Sequence, residues 1–169
     1  MVPSTVPGLV VPIPRAEAER VVLNLCLNAR DALHGAPGDI SVTLSKVAPG
    51  DSSLETVRSI VQSGGGRLVV QSGQAAWGGP QEGVAYNRLE VRDSGQGISE
   101  ELMRNMFDPF FTTKVRGRGT GLGLAFVHGA VLENDGCGLV ASKAGEGTRF
   151  TIFLPVADDA ATGEQGDAA

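Results

Sequence analysis

Apolar and polar positions follow two rhythms along this chain, one helical and one of period two. From Arg15 to Leu33, Val22, Cys26, Ala29 and Leu33 share one face of a 100° wheel, and Glu17, Asn24, Asn28 and Asp31 share the other. This predicts a helix that starts at Pro14 and stops near Gly35, Pro37 and Gly38. Ile40, Val42 and Leu44 then alternate with Ser41, Thr43 and Ser45, the pattern of a half-buried strand. Asn87–Asp93 predicts another strand with Leu89 and Val91 inward. Ser99 suits the N-cap of a short helix over 100–106. A further helix is predicted from Thr120–Leu124 to about Asn134, followed by strands Cys137–Ser142 and Thr148–Leu154 around the KAGEG turn. Alternating strands imply a sheet with helices on one face and water on the other. The expected fold is α/β, a two-layer sandwich with a mixed sheet.

Three stretches stand apart from these elements. Residues 1–14 hold four prolines and GLVV, a lead-in with a possible short edge strand. Residues 47–84 mix LETVRSIV, a helical turn or two, and RLVVQS, a strand, with the loops SGGG and WGGPQEG. This segment reads either as an ornamented hairpin loop or as a partner-docking insert anchored by Trp77. Residues 157–169, rich in Ala, Gly and acid, are expected to be a disordered tail.

Composition narrows the class. A chain of 169 residues with 41% hydrophobic content suits one domain with a real core. A net charge of −5 gives no reason to expect contact with nucleic acid or a membrane surface. No apolar run approaches the ~20 residues of a membrane helix, and the opening lacks the basic-then-apolar layout of a secretory leader. The two cysteines, Cys26 and Cys137, form no metal-binding pattern and fit a reducing cytoplasm.

The chemistry concentrates between Leu89 and Leu124. A strand delivers Asp93 to a turn containing Gly95 and Gly97, where a carboxylate can accept a hydrogen bond from a base. An aromatic stretch, Phe107 to Phe111, leads into a basic glycine-rich loop, and GTGLGL then opens a helix whose free N–H groups favour phosphate. Upstream, Asn24 and Asn28 interrupt an apolar helix four residues apart, although asparagine is a poor helix former. An amide oxygen is a hard ligand suited to Mg²⁺.

NLCLNARDAL, DSGQGI, FDPFFTTK, GTGLGLAFV and GEGTRFTIFLP, in this order, resemble the ATP-binding catalytic domain of sensor histidine kinases, in the GHKL ATPase/kinase superfamily. The resemblance covers roughly Pro12 to Val156, except for residues 47–84, where that family usually has a short turn. It implies the Bergerat fold over residues 15–156, with ATP and Mg²⁺ as cofactors. Asp93 would contact adenine, with Gly95, Gly97, Ile98 and Thr148 beside it. Asn28 would coordinate Mg²⁺, and Asn24 would be a second catalytic contributor near the metal. A mobile lid over 107–121 would bring Lys114, Arg116, Arg118, Gly119, Thr120 and Gly121 to the phosphates. Leu122, Gly123 and Leu124 would open the helix facing them.

The family's ATP hydrolases carry a water-activating glutamate four residues before the metal asparagine. Here that place holds Asn24, whose amide takes no proton near neutral pH. The resemblance therefore implies a protein-histidine kinase that donates the γ-phosphate to a histidine on a separate dimerisation domain, with a response regulator downstream. The family's acceptor histidine precedes an acidic residue, whereas His34 and His128 each precede glycine. The alternatives are a GHKL ATP hydrolase, a stand-alone anti-sigma-type serine kinase and a binding module without catalysis.

Overall fold

The computed structural model describes residues 13–64, 68–113 and 119–156. In chain order the elements are α1 (Arg15–Ala32), β1 (Ile40–Val47), α2 (Ser52–Gly64), β2 (Leu68–Gln71), β3 (Gln74–Trp77), β4 (Tyr86–Asp93), α3 (Glu100–Asn105), α4 (Gly123–Glu133), β5 (Cys137–Lys143) and β6 (Gly147–Pro155). The strands form one six-stranded sheet in the order β1-β4-β6-β5-β3-β2.

The expected mixed sheet is corrected, because every strand pair among the described residues is antiparallel. The crossover through α3 and α4 does return β5 in the direction of β4, as a helical crossover should. β6 then lies between them and pairs antiparallel with both. The lead-in's possible edge strand lies outside the described residues, as does the predicted tail.

Helices α1, α3 and α4 cover the front of the sheet. Val21, Leu25 and Ala29 of α1 are buried with Val127 and Val131 of α4 over Val91, Phe150 and Ile152. The buried face of α1 thus centres on Val21 and Leu25 instead of Val22 and Cys26, which are only partly covered. α1 packs on β4 and α4 and scarcely on the edge strand β1. Ile40, Val42 and Leu44 are consequently 39%, 50% and 45% exposed, against the half-buried strand expected from their alternation.

The reverse face is not simply wet. Asp51 opens α2 by accepting the Ser53 backbone N–H at 2.9 Å. The helix then presents Leu54, Val57 and Ile60 to Ala76, Tyr86, Cys137, Leu139 and Phe153. Full burial of side chains of this size stabilises by about 1.5–3 kcal/mol each before entropic costs. The two-layer sandwich therefore gains a third layer over β2, β3 and β5. Segment 47–84 supplies that helix and two strands that extend the sheet. Trp77, at the end of β3, is 0% exposed and meets Phe107 edge-on, with ring centroids 4.6 Å apart. It is a core residue, which removes the exposed docking anchor from consideration.

Candidate functional site

The polar stripe of α1 faces a cleft of about 730 Å³ between α1, the β4–α3 turn and the start of α4. Asn24 and Asn28 line it, one helical turn apart. Further along α1, the Ala32 carbonyl accepts the Gln96 N–H at 3.1 Å and so ties the helix to the glycine turn after β4. The eight-residue step from Asn24 to Ala32 measures about 12 Å of helix.

Asp93 closes that end of the cleft. It ends β4 opposite Thr148 and is 5% exposed. One carboxylate oxygen accepts the Gly95 N–H at 2.8 Å. Burial pushes the carboxyl above the usual carboxylate range, opposed more weakly by backbone hydrogen bonds from Gly95 and Thr148. Beside it, the Ser142 hydroxyl accepts the Ile98 N–H at 2.8 Å and lies 2.8 Å from the Gly147 carbonyl and 2.9 Å from the Thr148 hydroxyl. Ser142 has one proton, which the Gly147 carbonyl takes, so Thr148 is the donor of the third bond. This network fixes the orientation of Thr148 in the wall of the cleft.

Two glycines are required where they stand. Gly97 has φ 71°, and a Cβ there would sit 2.1 Å from the Lys143 carbonyl oxygen. Gly121 has φ 67°, and its Cβ would lie 2.3 Å from the Phe110 backbone. The Phe110 N–H donates to the Gly121 carbonyl at 3.0 Å, which joins the two flanks of the loop. Phe110 itself is 75% exposed, with φ 69°. α4 then starts at Gly123 with no side-chain cap on its N-terminus. A Cβ at Gly123 would be 3.0 Å from Asn24 Oδ1, so this helix start abuts the amide stripe of α1.

Most of the residues predicted from the sequence converge on this cleft. Asn24, Asn28, Asp93, Gly97 and Ile98 line it, as do Gly119, Thr120, Gly121, Gly123, Leu124 and Thr148. Gly95 stands behind Asp93, packed against Ala32, and Leu122 is the N-cap of α4, 40% exposed. Neither belongs to the lining. Lys114, Arg116 and Arg118 lie outside the described residues. Leu102, Met106 and Phe150 supply apolar lining that the sequence left unassigned, and Phe111 joins them from the segment expected to form the lid. The spacing of Leu102 and Met106 on one helical face was the available signal. Ser142 carried no local signal, because its role depends on the pairing of β5 with β6.

The donor set fits a magnesium nucleotide. A buried acceptor stands at the end of β4, an uncapped helix N-terminus suits phosphate, and amide oxygens offer hard ligands to Mg²⁺. Among the described residues, no group of three or more His, Cys, Asp or Glu side chains is placed to hold a metal. No described helix is long and apolar enough to cross a membrane.

Comparison with known proteins gives a consistent answer. Residues 15–158 match the family described as histidine kinase-, DNA gyrase B- and HSP90-like ATPase. The sensor kinase CckA of Brucella abortus is 34% identical over 81% of this chain and 12% of its own length. The two-component sensor PprA of Pseudomonas aeruginosa is 36% identical over 87% of this chain and 13% of its own. The sensor histidine kinase ZraS of Escherichia coli is 37% identical over 81% and 21%. The chain thus spans between about an eighth and a fifth of these relatives. Among solved structures, the mycobacterial sensor histidine kinase MprB superposes with a TM-score of 0.52 at 25% identity, over 83% of this chain and 70% of that one. On this match and on the cleft its motifs build, the chain belongs to the family of histidine kinase-, DNA gyrase B- and HSP90-like ATPases, as a domain of the sensor histidine kinase type.

Proposed function

We propose that this chain binds ATP with Mg²⁺ and presents the γ-phosphate to a histidine on a dimerisation domain outside the chain, for onward transfer to a response regulator in the cytoplasm. The observation that carries this reading is the cleft that joins Asp93 and the Asn24–Asn28 stripe to the uncapped start of α4. In this reading residues 15–156 are the catalytic unit and 107–121 its lid. The Asp93 carboxylate accepts the adenine amino proton, with Ile98 against the base and Thr148 oriented by Ser142. Asn28 holds Mg²⁺ through its amide oxygen, and Asn24 stands beside the phosphates. Mg²⁺, when bound, neutralises phosphate charge. The glycines from 119 to 123 let the backbone approach the triphosphate, and Lys114, Arg116 and Arg118 supply positive charge from the lid.

Phosphoryl transfer chiefly demands positioning and charge neutralisation. The acceptor imidazole is its own nucleophile, so this chain needs no general base. Asn24 favours that chemistry over hydrolysis, because it cannot take a proton from water. Calorimetric titration with ADP and with a non-hydrolysable ATP analogue, with and without Mg²⁺, tests the reading. Tight binding that needs Mg²⁺ for the triphosphate supports it, and absence of binding at millimolar nucleotide sinks it. Steady ATP turnover by the isolated chain would favour the hydrolase instead.

A further inference from the structure

We infer that Glu100 is a positioning residue for the base end of the nucleotide cleft, and that it acts on Ile98 through the β2–β3 turn. This role rests on the nucleotide reading of the cleft. It gives segment 47–84, where the chain departs from its family's pattern, a part in the site.

Ile98 and the first turn of α3 follow the strand end that carries Asp93. Upstream, the chain is held at Gln96, whose N–H donates to the Ala32 carbonyl at 3.1 Å and whose carbonyl accepts the Gly145 N–H at 2.7 Å. Downstream, hydrogen bonds close a ring. The Ile98 N–H donates to Ser142 Oγ at 2.8 Å. The Ser142 N–H donates to the Gly73 carbonyl at 3.0 Å. The Gly73 N–H donates to Glu100 Oε1 at 2.7 Å. Glu100 follows Ile98 and Ser99 in the chain, so the ring returns to its start. Both backbone polar groups of Gly73 thus serve the wall of the cleft.

The turn is suited to this part. Gln71 pairs with Gln74, which leaves Ser72 and Gly73 as a two-residue hairpin loop. Positive φ at both, 50° and 73°, marks a turn whose twist matches its flanking strands. β3 is bonded to β5 from Gln74 to Trp77, so the turn sits on the body of the domain. Glu100 also lies 3.9 Å from Arg104, but a pair this long, with side chains 42% and 58% exposed, contributes little. The bond to the Gly73 N–H is short and charge-assisted, and it is the contact that holds the Glu100 side chain. α3 carries Leu102 and Met106 into the cleft, with Ile98 at its entry. Loss of the Glu100 bond therefore loosens the apolar lining at the base end and leaves the Asn24–Asn28 stripe and the start of α4 in place.

The test compares the wild-type chain with Glu100→Ala, Glu100→Gln and Arg104→Gln. The readouts are metal-free ADP calorimetry and amide hydrogen exchange at Ile98 by NMR. Glu100→Ala should raise Kd for ADP about three- to tenfold and speed Ile98 exchange about tenfold. The ratio of Kd values for a non-hydrolysable ATP analogue with and without Mg²⁺ should stay unchanged, because the phosphate end is undisturbed. A general loss of stability would not divide the two ends in this way. Glu100→Gln keeps an acceptor for the Gly73 N–H and should restore both readouts to within about twofold of wild type. Arg104→Gln should match the wild type. Unchanged ADP affinity or Ile98 exchange in Glu100→Ala would overturn the role. So would a Glu100→Gln variant as impaired as Glu100→Ala, or an Arg104→Gln variant that shares the defect. A wild-type chain that takes no ADP contradicts the nucleotide reading instead, and Ile98 exchange then decides whether Glu100 holds this wall.

Discussion

Replacing Asp93 by Asn should leave the fold nearly as stable while removing most of the nucleotide affinity. The native carboxylate is buried and accepts backbone hydrogen bonds from Gly95 and Thr148. Burial is the larger influence and raises its pKa above the ordinary 3.8. A folded-state pKa above the unfolded one means that the folded protein binds this proton more readily. Ionised Asp93 therefore costs stability at neutral pH. That cost is relieved as pH falls through the raised value towards 3.8. Asn carries no charge and escapes the cost, but it offers one acceptor oxygen instead of two. One backbone N–H then loses its partner, at about 1–3 kcal/mol. The two effects oppose each other, so the unfolding free energy should move by no more than about 1.5 kcal/mol.

Binding has no such compensation. A hydrogen bond from the adenine amino group to a carboxylate contributes about 1.5–3 kcal/mol, so Kd for ADP should rise by roughly 10- to 150-fold. Urea unfolding and ADP calorimetry on the same preparations give both numbers. Wild-type affinity should also fall on acidification, beginning above the ordinary carboxylate range, while the variant's affinity stays flat. A variant that binds ADP normally yet loses more than about 3 kcal/mol of stability would refute the reasoning, because Asp93 would then hold the turn and not the base.

Asn28→Ala should abolish the Mg²⁺ dependence of triphosphate affinity and leave metal-free ADP binding within about twofold, as read by titration with and without chelator. Gly121→Ala places a Cβ against the Phe110 backbone in a left-handed conformation worth about 1–2 kcal/mol of strain, so nucleotide affinity should drop while the circular dichroism spectrum is kept. Trp77→Ala should cost about 3–5 kcal/mol in urea unfolding, whereas a surface anchor would cost almost nothing. Burial pushes the Cys137 thiol up to about 12 and also raises that of the more accessible Cys26. A thiol reagent at pH 8 should therefore label Cys26 slowly in the native protein, and Cys137 only after denaturant is added.

The local devices of this protein were legible in its sequence. The Ser99 cap, helices α1 and α4, the strand ending in Asp93 and the last hairpin all follow from period, propensity and turn chemistry acting over a few residues. So does the cleft's polar lining, because the carboxylate and the glycines sit at element ends where local chemistry marks them, and the two amides stand out as poor helix formers inside α1. What covers a face is a different question, and periodicity does not answer it. The pattern of α1 identified an apolar side, but packing against α4 and β4 turned Val21 and Leu25 inward in preference to Val22 and Cys26. The alternation in β1 promised burial, and its edge position withheld it. Segment 47–84 read as a hairpin loop ornamented by a helical turn or two and one strand, whereas it holds the 13-residue α2 and two four-residue strands. They gain stability only where β5 offers a free edge to β3 and the reverse face offers Phe153 and Tyr86 to α2. Trp77 and Ser142 acquire their surroundings in the same way, from strands distant in sequence that the closed sheet sets side by side.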